Sequence, residues 1–181
     1  MTKSDDRRVL ILDRLADHVL AHGLIASSLR PLAKAAQTSD RMLLYYFADK
    51  AEIVAATLNC VAARMVALMS VHAAPEPLPI EVLLPRITDM LSDAAFWPYM
   101  RVWLEIASRA AGGDGFYRAT GETIGRGFLA WGGAQIACKE GERDALAARL
   151  LVMIEGTVLL NSIGLAREAR IGLGISKGQS A

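Results

Sequence analysis

Residues 28 to 53, SLRPLAKAAQTSDRMLLYYFADKAEI, gather the side chains whose types and spacing can do interaction chemistry. Arg41, Tyr45 and Tyr46 share one short helical stretch, with Lys50 just beyond it. A guanidinium can bond guanine through two N–H groups at once, and a phenol can bond or pack on a base edge. Lys50 falls where a helix is expected to begin, a place the helix dipole makes poor for a cation, so a phosphate contact explains it better than stability does. Ser28 and Arg30, at the start of the preceding stretch, can hold facing phosphates. Ser39, Asp40 and Met42 beside Arg41 complete the candidate contact set. The plainer reading is a helical hairpin whose polar residues merely meet water.

The elements that must position these groups are legible in the same stretch. Ser28 can cap a helix over Leu29 to Ala36, and Pro31 falls in its first turn, where a missing N–H costs little. Gln37-Thr38-Ser39 breaks that helix. Ser39 can then cap a second one over Asp40 to Phe47. Asp49, with Glu52 three residues later, resembles a capping box with an acidic cap and starts a third helix. Helix, four-residue turn, helix is the geometry that lays a second helix in the major groove.

On these residues the chain resembles the DNA-binding domain of the tetracycline-repressor (TetR) family of bacterial regulators. Leu32-Ala33 followed by Ala36-Gln37-Thr38-Ser39 is similar to that family's I-A-x-x-A-G-V-S, and Leu43, Tyr45, Tyr46, Phe47 and Lys50 are similar to its L-Y-x-H-F-x-x-K. The preceding helix ends at Gly23, as in the family. The match covers about the first third of the chain; the rest agrees in length and helical character. Gln37 stands where the family has a turn glycine, Leu44 where it has a tyrosine, Tyr46 where histidine is frequent, and Arg41 where glycine is common.

Composition bounds the rest. At 181 residues the chain can bury a sizeable core, as one domain or two small ones. Hydrophobic residues make up 53% against 22% charged, and the mean hydropathy is positive. That richness suggests apolar surface covered by a second copy or a ligand. No run approaches the roughly 20 apolar residues of a membrane span. The polar start MTKSDDRRV leads to no signal-peptide core, so a cytoplasmic location is expected. Cys60 and Cys138 read as isolated reduced thiols. Net charge is +1, and residues 1 to 50 hold eight Lys/Arg against six Asp/Glu. Nucleic-acid binding therefore rests on the helical pattern and not on charge.

Beyond residue 53 helical periodicity is everywhere and strand alternation almost absent. Long helices are expected at about Lys50 to His72, Ile80 to Ala94, Phe96 to Ala111, Phe116 to Ala137 and Glu142 to Ile163, and a frayed tail over 172 to 181. Three prolines between Ala73 and Ile80 make the clearest break. Phe96, Tyr99 and Trp103 line one helix face, and with Met100 and Phe128 they are candidates for an apolar ligand wall or simply for core packing. The opposite face, Arg101, Glu105, Ser108 and Arg109, reads as a solvated charge ladder. Tyr117, Gly121, Ile124, Phe128 and Trp131 recur at three or four residues. Gly121 and Gly125 make a small-xxx-small pair at about 1 kcal/mol of helix propensity each, which close backbone approach would repay. The final long helix, with Leu151, Glu155, Val158 and Leu159, is apolar almost all round and so should be buried on several sides. These two helices look like the pair that forms a four-helix dimer interface in the family; a monomeric core is the other reading. His18 and His22 are four apart, a spacing that can bind zinc, but no third ligand is near, so no metal is expected. No phosphate loop, serine elbow or paired carboxylates are evident, and no cofactor is called for.

The expectation is an all-α protein. A helix-turn-helix DNA-binding domain over 1–53 precedes a helical ligand-binding and dimerisation domain over 54–181. The resemblance implies a homodimeric, non-enzymatic regulator on an inverted-repeat DNA operator, a repressor released by a small apolar or aromatic effector; activation suits the residues equally. The alternative is an all-α enzyme or metal-binding protein using the second domain.

Overall fold

A computed structural model describes residues 3–24 and 28–175 of the chain. Among them the fold is all-α: α1 (Lys3–His22), α2 (Leu29–Ala35), α3 (Asp40–Tyr46), α4 (Lys50–Val71), α5 (Ile80–Ser92), α6 (Trp97–Ala111), α7 (Gly115–Ala134), α8 (Arg143–Ser162) and α9 (Ala166–Gly172). Of the tail expected over 172–181, residues 176–181 lie outside the described ones. The short α9 was not anticipated: Gly164, at φ +85°, turns the chain after α8 and a last helix follows.

Several boundaries moved for visible reasons. Phe96 belongs to a turn before α6, its N–H donating to the Asp93 carbonyl at 3.0 Å. α7 starts where the Asp114 carboxylate accepts from the Phe116 and Tyr117 N–H groups at 3.0 and 3.3 Å. It stops early because residues 135 to 137 pair with Leu78 instead: the Leu78 N–H donates to Gln135 at 2.8 Å and the Ala137 N–H to Leu78 at 2.9 Å.

The chain groups into two units, Met1–Met69 with Arg101–Ile124 and Ser70–Met100 with Gly125–Ala181. In the first, Ile11, Leu15, Leu32, Leu43, Phe47 and Ile53 form one buried cluster, and Val19, Leu24, Val54, Leu58, Val102 and Ile106 a second. α1 and α4 run through both. Arg64 also ties them, donating to Asp17 at 2.7 Å and Asp13 at 2.9 Å; half-exposed pairs of this kind contribute only about 0–1 kcal/mol. Burial pushes the neighbouring Cys60 thiol above its ordinary range, and Arg64 beside it pulls the other way, consistent with a reduced, unreactive cysteine.

The expected charge ladder on α6 is corrected here. The Glu105 carboxylate accepts from the buried Leu24 N–H at 2.6 Å, and Arg101 donates to the Leu20 carbonyl at 2.6 Å. Both groups hold the end of α1 rather than facing water. The end of α1 needs them, because the last carbonyls of a helix have no partner within it, and past Gly23, whose N–H still donates to the Val19 carbonyl at 2.8 Å, the chain leaves the helix. Gly23 makes room: its φ is +76°, and a Cβ there would strike the Glu105 carboxylate. Ser108 and Arg109 stay exposed.

In the second unit α5 packs on α8 and α8 on α9, with Leu83, Ile87, Leu150, Ile154 and Ala169 among the buried residues. Gly132 and Gly133 admit α8 closely; a Cβ on Gly132 would sit 3.2 Å from Leu150. Arg143 closes the end of α7 through the Gly133 and Ile136 carbonyls. The expectation that α8 is buried on several sides is not met within one chain: Val152, Leu159 and Ile163 are 71%, 53% and 62% exposed. α4 and α8 are long and apolar enough to suit a membrane by composition; in this fold they supply core residues instead.

Glu105→Ala should cost about 1–3 kcal/mol, the penalty of removing the charged acceptor of the buried Leu24 N–H. Urea denaturation checks this; an unchanged midpoint would show that the end of α1 does not depend on the carboxylate.

Candidate nucleic-acid interface

α3 is seven residues long, too short to persist alone. Its hold is specific. Leu43 is fully buried and Phe47, at its C-terminal end, nearly so. The Ser39 hydroxyl accepts from the Met42 N–H at 3.2 Å, the expected cap. Ser28 differs: its backbone is extended as a cap requires, but its side chain makes no capping bond, which leaves the hydroxyl free. The turn between α2 and α3 passes through Gln37 at φ +53°, the left-handed region where glycine is the usual occupant. The Thr38 N–H donates to Ala33 at 2.9 Å, and Arg14 on α1 donates to Ala36 at 3.0 Å, clamping the turn. At the next helix the Asp49 carboxylate accepts from the Glu52 N–H at 2.8 Å, while Glu52 accepts from the Ala48 N–H at 2.6 Å. The box closes one residue earlier than a standard one. Arg8 lies 4.7 Å over the Phe47 ring and bonds Glu52 at 3.1 Å, sealing the far side of α3.

What remains on α3 faces water. Tyr45 is 74% exposed, and Leu44 and Met42 are exposed too. Tyr46 is half-buried and meets Tyr45 edge-on, ring centres 5.2 Å apart. Ser28, Arg30, Ser39, Asp40, Arg41 and Lys50 are all exposed. The cations of this region divide cleanly. Arg8, Arg14 and Arg64 are bonded within the fold. Arg7, Arg30, Lys34, Arg41 and Lys50 are exposed and have no partner among the described residues. Arg7 and Lys34 were not singled out from sequence; the signal for Lys34 was its position one turn beyond Arg30 on the same face of α2.

The residues expected to line a ligand wall are scattered. Phe96 and Met100 are buried, Phe96 with its ring edge-on to His72 at 5.6 Å. Tyr99 is half-buried, and Phe128 stands 6.0 Å from Trp131. Trp103 belongs to the first unit, beside Gly121. The second unit holds a cleft of about 330 Å³ lined by His72, Ala73, Ala74, Leu83, Arg86, Ile87, Asp89, Met90, Trp131 and Gln135. None of the five expected residues borders it. Among the described residues, no group of three or more His, Cys, Asp or Glu could hold a metal ion.

Of the expected interface residues, Tyr117 and Val158 are buried within the chain. Gly121 gives α7 its close approach to Ile106 of α6, 3.4 Å from where a Cβ would be. Ile124, Gly125, Phe128, Trp131, Leu151 and Glu155 are half-buried, and Leu159 is exposed. Val152, Gly156 and Leu159 of α8 and Ile163 at its C-terminal cap recur at four, three and four residues along exposed positions, with open space beside Gly156.

Solved structures share this whole arrangement. A transcriptional regulator from Rhodococcus sp. Rha1 matches over 96% of this chain and 95% of its own, with a TM-score of 0.69 at 23% identity. GusR of Salmonella enterica matches over 97% of each chain with a TM-score of 0.62 at 15% identity. A candidate transcriptional regulator from Saccharomonospora viridis, solved with choline, matches over 95% of each with a TM-score of 0.59 at 19% identity. The fold is one that transcriptional regulators use. No family model matches the sequence, and no curated protein does either.

Two substitutions test how the turn holds α3. Gln37→Gly relieves the left-handed strain and should stabilise by about 0.5–1 kcal/mol. Ser39→Ala removes the cap and should destabilise by about 1 kcal/mol. Chemical denaturation reads both; a destabilising Gln37→Gly would mean that the turn carries no strain.

Proposed function

We propose that this chain is a sequence-specific DNA-binding transcriptional regulator working as a homodimer. The observation that carries the reading is the region around α3: four exposed cations with no partner among the described residues, Arg30, Lys34, Arg41 and Lys50, and an exposed Tyr45, on a helix-turn-helix whose buried side is fully packed. Folding leaves these groups unused, and phosphate and base contacts use all of them. Ser28, Arg30, Ser39 and Lys50 hold the backbone on this reading, joined by Lys34. Asp40, Arg41, Met42, Tyr45 and Tyr46 meet base edges, and the exposed Leu44 suits a thymine methyl. The DNA-contacting domain is then 1–53, and 54–181 supplies dimerisation and effector response, in the cytoplasm. The enzyme alternative loses its polar groups, since Glu105 and Arg101 are engaged at the end of α1.

A similarly folded regulator solved with choline supports an effector site in 54–181. The cleft of the second unit is a better site than the Phe96, Tyr99, Met100, Trp103 and Phe128 set. It has volume, and two of those five are packed away. An effector that prefers one spacing of the two DNA-binding heads would switch the regulator. Repression relieved by the effector and activation by it are both open to such a device.

DNA binding should be steeply salt-dependent, each neutralised phosphate adding about −0.9 to the log–log slope. Lys50→Ala should weaken cognate and scrambled duplexes alike and flatten that slope by about one. Arg41→Ala and Tyr45→Ala should each cost about 1–3 kcal/mol on the cognate site alone. Fluorescence anisotropy at several salt concentrations measures all three. Failure of the wild type to bind any genomic fragment would overturn the regulator reading.

The exposed stripe of α8 is the proposed dimer surface, with Leu151 and Glu155 beside it and Gly156 allowing close approach. Light scattering should give a dimer for the wild type and a monomer for Val152→Arg/Leu159→Arg. Both positions are exposed in the single chain, so its fold should survive. A dimeric double variant would move the interface elsewhere.

A further inference from the structure

The cleft of the second unit has a one-sided polar chemistry. Leu83, Ile87 and Met90 give it an apolar wall, with Leu83 and Ile87 buried. Five side chains at its border carry the polar character that could orient a ligand: His72, Arg86, Asp89, Trp131 and Gln135. Asp89 is already committed, because its carboxylate takes a 2.6 Å hydrogen bond from Arg170 on α9. Arg170 offsets the charge of Asp89 from outside the cleft lining. The side chains of Arg86, Trp131 and Gln135 have no hydrogen-bond partner among the described residues.

Their chemistry is asymmetric. A guanidinium has five N–H donors and no acceptor, an indole one donor and no acceptor, while the Gln135 amide and the His72 imidazole can do both. Donors outnumber acceptors among the side chains left for a guest, and the Arg86 guanidinium has no counter-ion among the described residues, so an acceptor-rich anion suits the cleft. The backbone keeps them in register: Gln135 is fixed by the pairing of residues 135 and 137 with Leu78, and Arg86 lies on α5 one residue before buried Ile87. A volume of about 330 Å³ is at the small end of the range for ligand pockets, roughly 300–1,000 Å³, so the guest is small.

We propose that this cleft binds a small monocarboxylate with an aliphatic or aromatic body, its carboxylate on Arg86 and Gln135 and its apolar part against Leu83, Ile87, Met90 and the Trp131 ring. The inference rests on the regulator reading for its purpose but not for its chemistry. An arginine–carboxylate pair can be bidentate, which gives orientation as well as affinity. A cationic guest would face the uncompensated Arg86 instead of a free carboxylate.

The test is calorimetric titration of the full chain with octanoate, octanamide, octyltrimethylammonium and choline, with duplex binding measured on the same preparations. Octanoate should bind about tenfold or more tighter than octanamide, which has the same chain without the charge. Arg86→Gln should bring octanoate binding down to the octanamide level, and an unchanged urea-denaturation midpoint shows that the exposed substitution leaves the protein folded. Equal binding of octanoate and octanamide, tighter binding of either ammonium probe, undiminished octanoate binding by Arg86→Gln, or no octanoate binding by wild type would each overturn the proposal. Octanoate binding by a protein that ignores DNA would sustain this inference and overturn the regulator reading; DNA binding without octanoate binding would do the reverse.

Discussion

A seven-residue helix cannot hold itself in water, so α3 exists only because Leu43 and Phe47 are locked into the core of the first unit. That constraint organises everything around it. Ile11 and Leu15 of α1, Leu32 and Ala33 of α2 and Ile53 of α4 form the socket. Arg8 covers the socket from outside by stacking on Phe47, and Arg14 clamps the turn that delivers α3. Because two apolar anchors suffice, the rest of the helix is free of structural duty. The side chains that could touch DNA are the ones that folding does not use.

The same division of labour runs through the charges. A surface cation contributes little to stability, so its partners reveal its use. Arg8, Arg14, Arg64 and Arg101 end on carboxylates or carbonyls of other helices, while Arg30, Lys34, Arg41 and Lys50 end in solvent around α3. The net charge of +1 hides this sorting. A modestly charged protein can present a cationic face if its acids are paired with other cations, as Glu52 is with Arg8 and Asp13 and Asp17 are with Arg64.

α6 shows how one segment can serve two ends. Its Glu105 and Arg101 hold the last turn of α1 and the residues just after it. α1 carries the cluster that seats α3, and α6 packs on the far part of α1 through Val102 and Ile106. A shift of α6 would therefore be felt at α1, since packed helices move as units and do not deform continuously. This contact lies in the first unit and so is available to any regulatory motion that displaces α6.

The sequence by itself determined the local features. Helix class, the two breaks around Gln37 and Asp49, the Ser39 cap and the Leu43 and Phe47 anchors follow from propensity, capping chemistry and periodicity over a few residues. Gln37 in place of a turn glycine was visible too, and its positive φ follows from the turn and not from the residue. Tertiary structure decided the rest. Arg101 and Glu105 have the i, i+4 spacing of a solvated pair, and only the approach of α1 gives them other partners. Gly121 looked like a dimer contact because spacing cannot say which helix comes close, and in the fold it is α6 of the same chain. The aromatic stripe of α6 could be read as wall or core, and folding buried Phe96 and Met100. Meanwhile the cleft drew His72, Arg86, Trp131 and Gln135 from distant segments with no common period. Periodicity sees one helix at a time. A site assembled from three elements is created by their packing.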